Sequence, residues 1–255
     1  MYKDKYKIVG IIPARLESTR LPKKPLIDIS GMSMISHVYH RALLSNVLDD
    51  VIVATDAVEI INEIEKQNGK AILTSVNHKK GTERISEAVE NIDADIVVLI
   101  FGDEPLLNPD YIKESVDALI NRFSDDDVVA SILCNKFTKE NSTSDMKIAL
   151  NLKSEVMYFS RGDIPCNARN FRKNMTKAYH IMAFKKDFLK KYKNWDKTPN
   201  ELIEDNEHLR ILEHGYKIQA TLVESSAVSV DTADDLEYVR KEMLIDPIFP
   251  SYAHK

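Results

Sequence analysis

The chain has 255 residues, 44% of them hydrophobic and 29% charged, with a formal net charge of −5. Such a length and composition support a core of ordinary size and exclude a disordered chain or a fibre. The acidic balance excludes non-specific nucleic-acid binding, which needs a basic surface to recruit phosphates. An apolar run, Ile8 to Ile12, reads as a buried strand that stops at Pro13, where the N–H needed for further pairing is missing. The loop beyond it carries Arg15, Arg20, Lys23 and Lys24 with hydroxyls at Ser18 and Thr19. Forked guanidinium groups and compact ammonium groups together suit a polyanion, triphosphate first. A solvated basic turn has the same composition, and the glycine cradle of a P-loop is absent. Position favours the ligand, because the loop leaves the carboxyl end of the first strand of an α/β pattern.

Met34, Ile35, Val38, Ala42 and Leu43 recur at helical spacing, and Val51 to Ala54 reads as a second strand ending at Thr55-Asp56. Ile60, Ile61 and Ile64 predict a helix stopped at Gly69, followed by a short strand, Ala71 to Leu73. This β-α rhythm predicts a mostly parallel, doubly wound sheet with helices on its faces. His78-Lys79-Lys80-Gly81-Thr82-Glu83-Arg84 then leads into a helix through Ile85, Ala88 and Val89. Gly-Thr at that point is either a helix N-terminus open to an anion or nucleobase edge, or simply a capped helix with Glu83 in its first turn. Ile96 to Ile100 is the most apolar strand and runs into Phe101-Gly102-Asp103-Glu104-Pro105. An Asp there either starts a turn or presents a carboxylate at the ligand edge, where a hard cation such as Mg²⁺ could bridge it to phosphate oxygens.

A helix is predicted over Tyr111 to Phe123 and a strand over Val128 to Leu133. Alternation between Lys147 and Ser160 signals a hairpin, so a strand-rich subdomain is expected as an insertion at about residues 145–185 of a single domain spanning the chain. Ile181 to Phe184 reads as a strand, Phe188 to Tyr192 as a short helix, and Leu202 to Glu213 as a longer helix closed by Gly215. Lys217 to Leu222 is a late strand, and Asp231-Thr232 with the acidic residues after it is a capping pattern for the last helix. Cys134 and Cys166 have no pairing pattern or metal spacing, no apolar signal core opens the chain, and no stretch approaches a membrane span. A cytoplasmic protein is expected.

The loop P-A-R-x-x-S-T-R-L-P-x-K-P-L from Pro13 to Leu26, the G-T-E-R at Gly81 to Arg84, the G-D-E-P at Gly102 to Pro105 and the V-D-T at Val230 to Thr232 resemble the signatures of sugar-acid cytidylyltransferases. The likeness is to the 3-deoxy-manno-octulosonate (KDO) cytidylyltransferase family in particular. It implies a GT-A-like nucleotidyltransferase fold and transfer of CMP from CTP to a 3-deoxy-2-ulosonic acid, with loss of pyrophosphate. It also implies Mg²⁺ held by Asp103 and Asp231, and a homodimer formed through the inserted part. By the same likeness Ala14, Arg15, Ser18, Arg20, Lys24, Thr82, Arg84 and Gly102 surround the nucleotide, and Lys24, Asp103 and Asp231 carry the chemistry. Arg161, in Y-F-S-R, with His180, Glu207 and His208, would face the sugar. Asp231 could hold a metal and cap a helix only if one oxygen stays free, which favours Thr232 as the cap.

Departures from the pattern fall mainly in the sugar half. Lys23 stands where the family has Gly, at a position that needs positive φ if the loop keeps its path. Phe101, Ala178 and Met182 replace a Gln, a His and a Tyr, and apolar groups cannot hydrogen-bond sugar hydroxyls. A modified octulosonate, such as an amino analogue of KDO, is therefore expected beside KDO itself. A nine-carbon neuraminate-type acid and a catalytically silent nucleotide-binding homologue are the alternatives.

Overall fold

A computed structural model describes residues 5–18, 20–170, 174–225 and 228–253; Thr19 and the side chain of His180 lie outside the described residues. The chain forms two compact units, one of Met1–Lys113 with Ala227–Lys255 and one of Glu114–Ser226.

In the first unit, β1 (Ile8–Ala14) is followed by a tight hairpin of β2 (Asp28–Ile29) and β3 (Met32–Ser33). Ser30 and Gly31 turn the hairpin, both at positive φ, as two-residue hairpins require. The next elements are α1 (Met34–Leu44), β4 (Asp50–Thr55), α2 (Val58–Glu65), β5 (Lys70–Leu73), α3 (Gly81–Ala88) and β6 (Ile96–Ile100). Strands β6, β1, β4 and β5 lie side by side in that order, all parallel. The expected end of β1 at Pro13 is corrected. The strand continues to Ala14 because Pro13 pairs only with Ala54 on β4, whereas pairing to β6 ends at Ile11, so the missing N–H interrupts no ladder on that side. After β1 the chain steps outward through β4 to β5 and then returns to the other flank of β1. The order reverses between β1 and β6, and a crevice opens there at the carboxyl ends of the strands.

α4 (Pro109–Ile120) begins at the end of the first unit and leads into the second, which holds β7 (Val128–Phe137), β8 (Lys147–Leu150), β9 (Val156–Ser160) and β10 (Met175–Lys185). Then come α5 (Lys186–Tyr192), α6 (Pro199–Glu204), α7 (Leu209–Glu213) and β11 (Lys217–Leu222). β7 pairs parallel with β11 and antiparallel with β10, while β8 and β9 form the expected hairpin beside β10. The expected strand at Ile181 is longer, starting at Met175, and a bulge lies between Tyr179 and Met182. The α/β fold class with a strand-rich region is as the sequence predicts. The single helix expected over Leu202 to Glu213 is not formed. Asp205 turns left-handed (φ 49°, ψ 44°), the Asn206 carboxamide accepts the His208 amide at 2.9 Å, and two short helices result.

α8 (Ala233–Met243) returns the chain to the first unit, where Leu236, Val239 and Met243 pack with Ile29, Met34 and Val230. The fully buried Arg41 fastens this return: its guanidinium donates to Tyr252 Oη (3.1 Å), Leu107 O (3.0 Å) and Asp246 Oδ1 (2.5 Å). Among the described residues no helix is long and apolar enough to cross a membrane.

Candidate active site

A cleft of about 270 Å³ opens in the first unit, where the loops after β1 and β6 diverge. Ala14, Arg15, Ser18, Arg20 and Lys24 line it from the first loop, Phe101, Gly102 and Asp103 from the second, and Asp231 from the approach to α8. Close packing favours Gly102, since a Cβ there would sit 3.0 Å from Ile35 Cδ1 and 3.2 Å from the Pro13 carbonyl oxygen and would press both aside.

Backbone geometry aims Lys24 into the cleft. Lys23 adopts φ 52°, ψ 36° and opens a short 3₁₀ turn, Lys24–Leu26, with the buried Pro25 behind it. The loop thus keeps the left-handed residue that a glycine would supply. Lys24 Nζ donates to Asp103 Oδ2 at 2.8 Å and to Asp231 Oδ1 at 3.1 Å, and Arg20 Nη2 reaches the same Asp231 oxygen at 3.0 Å. These contacts differ in weight. The Lys24 and Asp103 side chains are 14% and 26% exposed, so their pair is weakly screened, whereas Arg20 at 64% contributes little to stability. Asp103 Oδ1 is buried and accepts no hydrogen bond among the described residues.

Asp231 is positioned by its neighbours. The Val230 amide donates to the Asp103 carbonyl at 2.9 Å, and Ser229 Oγ donates to Oε1 of the buried Glu104 at 3.1 Å. Thr232 caps α8 through a reciprocal box with Asp235, leaving the Asp231 carboxylate to face the cleft. Burial pushes the Asp235 carboxyl up, but the Thr232 hydroxyl and the amides of Thr232 and Asp231, with the Lys24 charge, hold it below its usual range.

On the third wall stand His78, Lys79, Lys80, Gly81 and Arg84. Arg84 is 3% exposed, with its guanidinium on Thr74 Oγ1 (2.6 Å) and Asp56 Oδ2 (2.8 Å). Thr82 is fully buried and does not line the cleft. His78 Nε2 contacts the Glu87 carboxylate, which also accepts the Ser75 amide at 3.0 Å. His78, Lys79 and Lys80 were not singled out from the sequence. The signal available was their place immediately before a helix that opens on glycine.

The residues expected on the sugar side all fall in the second unit. Arg161 donates to the carbonyls of Glu204 (2.8 Å) and Thr143 (3.0 Å), which holds the end of β9 to the end of α6. Glu207 and His208 lie in the turn between α6 and α7, both largely buried, with the His208 ring tilted against Phe159 at 5.6 Å. His180 lies on β10.

A parallel α/β unit with a basic loop and two acidic residues at its strand switch has the parts of a nucleotidyl-transfer enzyme. The chain belongs to the cytidylyltransferase family, whose profile, described as Cytidylyltransferase, matches residues 9–218. It is similar to the 3-deoxy-manno-octulosonate cytidylyltransferase of Fusobacterium nucleatum, 41% identical over 91% of this chain and 95% of that protein. The enzyme of the same name from Yersinia pseudotuberculosis is 37% identical over 92% and 98%. Among solved structures, a CMP:2-keto-3-deoxy-manno-octonic acid synthetase complexed with CTP superposes with a TM-score of 0.87 at 34% identity, covering 94% of this chain and 99% of that one. A cytidylyltransferase from Leptospira borgpetersenii, 18% identical with a TM-score of 0.63, shares the fold.

Proposed function

We propose that this protein transfers the cytidylyl group of CTP to a 3-deoxy-2-ulosonic acid, KDO or a modified analogue such as an amino-KDO, releasing pyrophosphate. One observation carries the reading: Asp103 and Asp231 meet at a single point in a cleft lined by Arg15, Arg20, Lys24, Lys79 and Lys80. In the reaction the anomeric hydroxyl oxygen bonds to the α-phosphorus while the bond from that phosphorus to the bridging oxygen of the pyrophosphate breaks. Such transfers need positioning and charge neutralisation rather than a protein nucleophile. The arginines and lysines bind and orient the triphosphate, and Ser18 donates to it from the loop that holds the nucleotide.

The carboxylate pair fits a divalent cation. Among the described residues no three His, Cys, Asp or Glu side chains gather as a cage, but Mg²⁺ commonly takes one or two carboxylates and completes its shell with substrate phosphates and water. The buried, unsatisfied Oδ1 of Asp103 fits the same group. Asp103 and Asp231 would hold it, and when bound it supplies charge neutralisation on the α-phosphate and acidifies the sugar hydroxyl.

Phe101 on the cleft wall favours an acceptor that needs no hydrogen bond there. The reducing cytosol suits Cys134 and Cys166, which are unbonded, and a homodimer is part of the same reading. The test is CTP- and Mg²⁺-dependent pyrophosphate release with KDO, an amino-KDO and N-acetylneuraminate. Release with an octulosonate is expected. Preference for neuraminate would move the substrate to nine-carbon acids, and no release with any acid would make the protein a silent homologue. Phe101→Gln is expected to shift preference towards KDO over the amino analogue by about tenfold in kcat/KM, one hydrogen bond's worth.

A further inference from the structure

We infer that Lys24 is the resident counter-ion of the Asp103 and Asp231 pair in the nucleotide-free protein, and that CTP opens the pair to a divalent cation by drawing the Lys24 ammonium onto its phosphates. The inference rests on the cytidylyltransferase reading and adds an order to it. One ammonium is bonded to both carboxylates at once, at 2.8 and 3.1 Å, on Asp103 Oδ2 and Asp231 Oδ1. Two carboxylates this close repel each other without a cation between them. A metal ion would need oxygens of the same pair, and an ammonium cannot share that place with a dication.

The surroundings allow the side chain to move and the backbone to stay. Lys23 is held left-handed before it and Pro25 is buried after it, so the Cα of Lys24 is fixed while its four-carbon stem is flexible. Arg20 also touches Asp231 Oδ1, from the exposed side of the pair. Both cations line the same cleft as Arg15, Lys79 and Lys80. A triphosphate entering between them offers Lys24 and Arg20 new anionic partners, and each that leaves the carboxylates raises the pair's affinity for a metal. By linkage the effect is reciprocal: a metal on the pair frees Lys24 for the nucleotide.

Titrating Mn²⁺ into nucleotide-free protein at pH 8, with free Mn²⁺ read by electron paramagnetic resonance, isolates this step from catalysis. Wild type is expected to bind weakly, Lys24→Met at least tenfold more tightly, and Lys24→Arg, which restores a cation, like wild type. Lys24→Gln, one atom shorter and with an uncharged polar end, is the second charge-free variant should Lys24→Met melt early in a thermal scan. Metal binding no tighter in either charge-free variant than in wild type overturns the inference, as does Lys24→Arg binding as tightly as Lys24→Met. The titration contains neither CTP nor sugar. Failure here therefore leaves the proposed reaction standing, and absence of pyrophosphate release from wild type is a separate result.

Discussion

His37 shows how one residue sets a pH limit on this fold. Its ring is fully buried, with Nε2 donating to the Ile29 carbonyl at 2.7 Å and Nδ1 accepting from Tyr252 Oη at 2.9 Å in the neutral tautomer those partners favour. Burial lowers its pKa to about 4; the Ile29 carbonyl opposes this, and the charges of Arg41 and His40 add to it. The unfolded chain takes up a proton near the ordinary value of 6.5, the folded chain only near 4, so protons favour unfolding between these values. His37 therefore contributes nothing adverse above about pH 6.5 and lowers stability as pH falls, by about 2 kcal/mol at pH 5. Urea unfolding at pH 7 and pH 5 should show the loss, and His37→Gln should flatten it. Lys23 is the other residue whose local state matters. A non-glycine residue at φ 52° costs about 1 kcal/mol, a strain this loop carries where a glycine would carry none.

Between elements, the approach to α8 is bound to the loop after β6 at two points, Val230 N to Asp103 O and Ser229 Oγ to Glu104 Oε1. These bonds fix the distance between two acids that neither loop could hold alone. Ser229→Ala is expected to lower kcat by about tenfold while changing the KM for CTP less than about twofold, because misplacement of about an ångström is felt mainly in the transition state. Ser229→Thr, which keeps the hydroxyl, should restore the rate in the same steady-state assay. Helices α6 and α7 show the opposite case, an element broken by its own side chains. The apolar spacing of Leu202, Leu209 and Leu212 suits one helix, yet Asp205 turns left-handed, the Asn206 carboxamide satisfies the His208 amide, and the turn wins.

Taken whole, the molecule is acidic, with a net charge of −5, and concentrates cations in one cleft. Attraction of a triphosphate to that cleft is screened by salt. Raising ionic strength from about 0.05 to about 0.5 M should increase the KM for CTP several-fold and the KM for a monocarboxylate sugar acid less, as initial-rate measurements will show. Most of the parallel strands, the basic loop and the acid after β6 were legible residue by residue. Apolar runs mark buried strands, and charge at a strand's carboxyl end marks the ligand edge. The resemblance implied a metal-binding role for Asp231, and counting its oxygens then favoured Thr232 as the cap, where the structure has it. Other features had no local signature. That Asp231 meets Lys24 across 207 residues, that Arg84 spends its guanidinium on Asp56 and Thr74, and that Thr82 is buried could not be read from spacing. Periodicity records which face of an element is buried. Which distant side chains then share a point depends on strand order and on the path of the returning chain, and these exist only once the sheet has assembled.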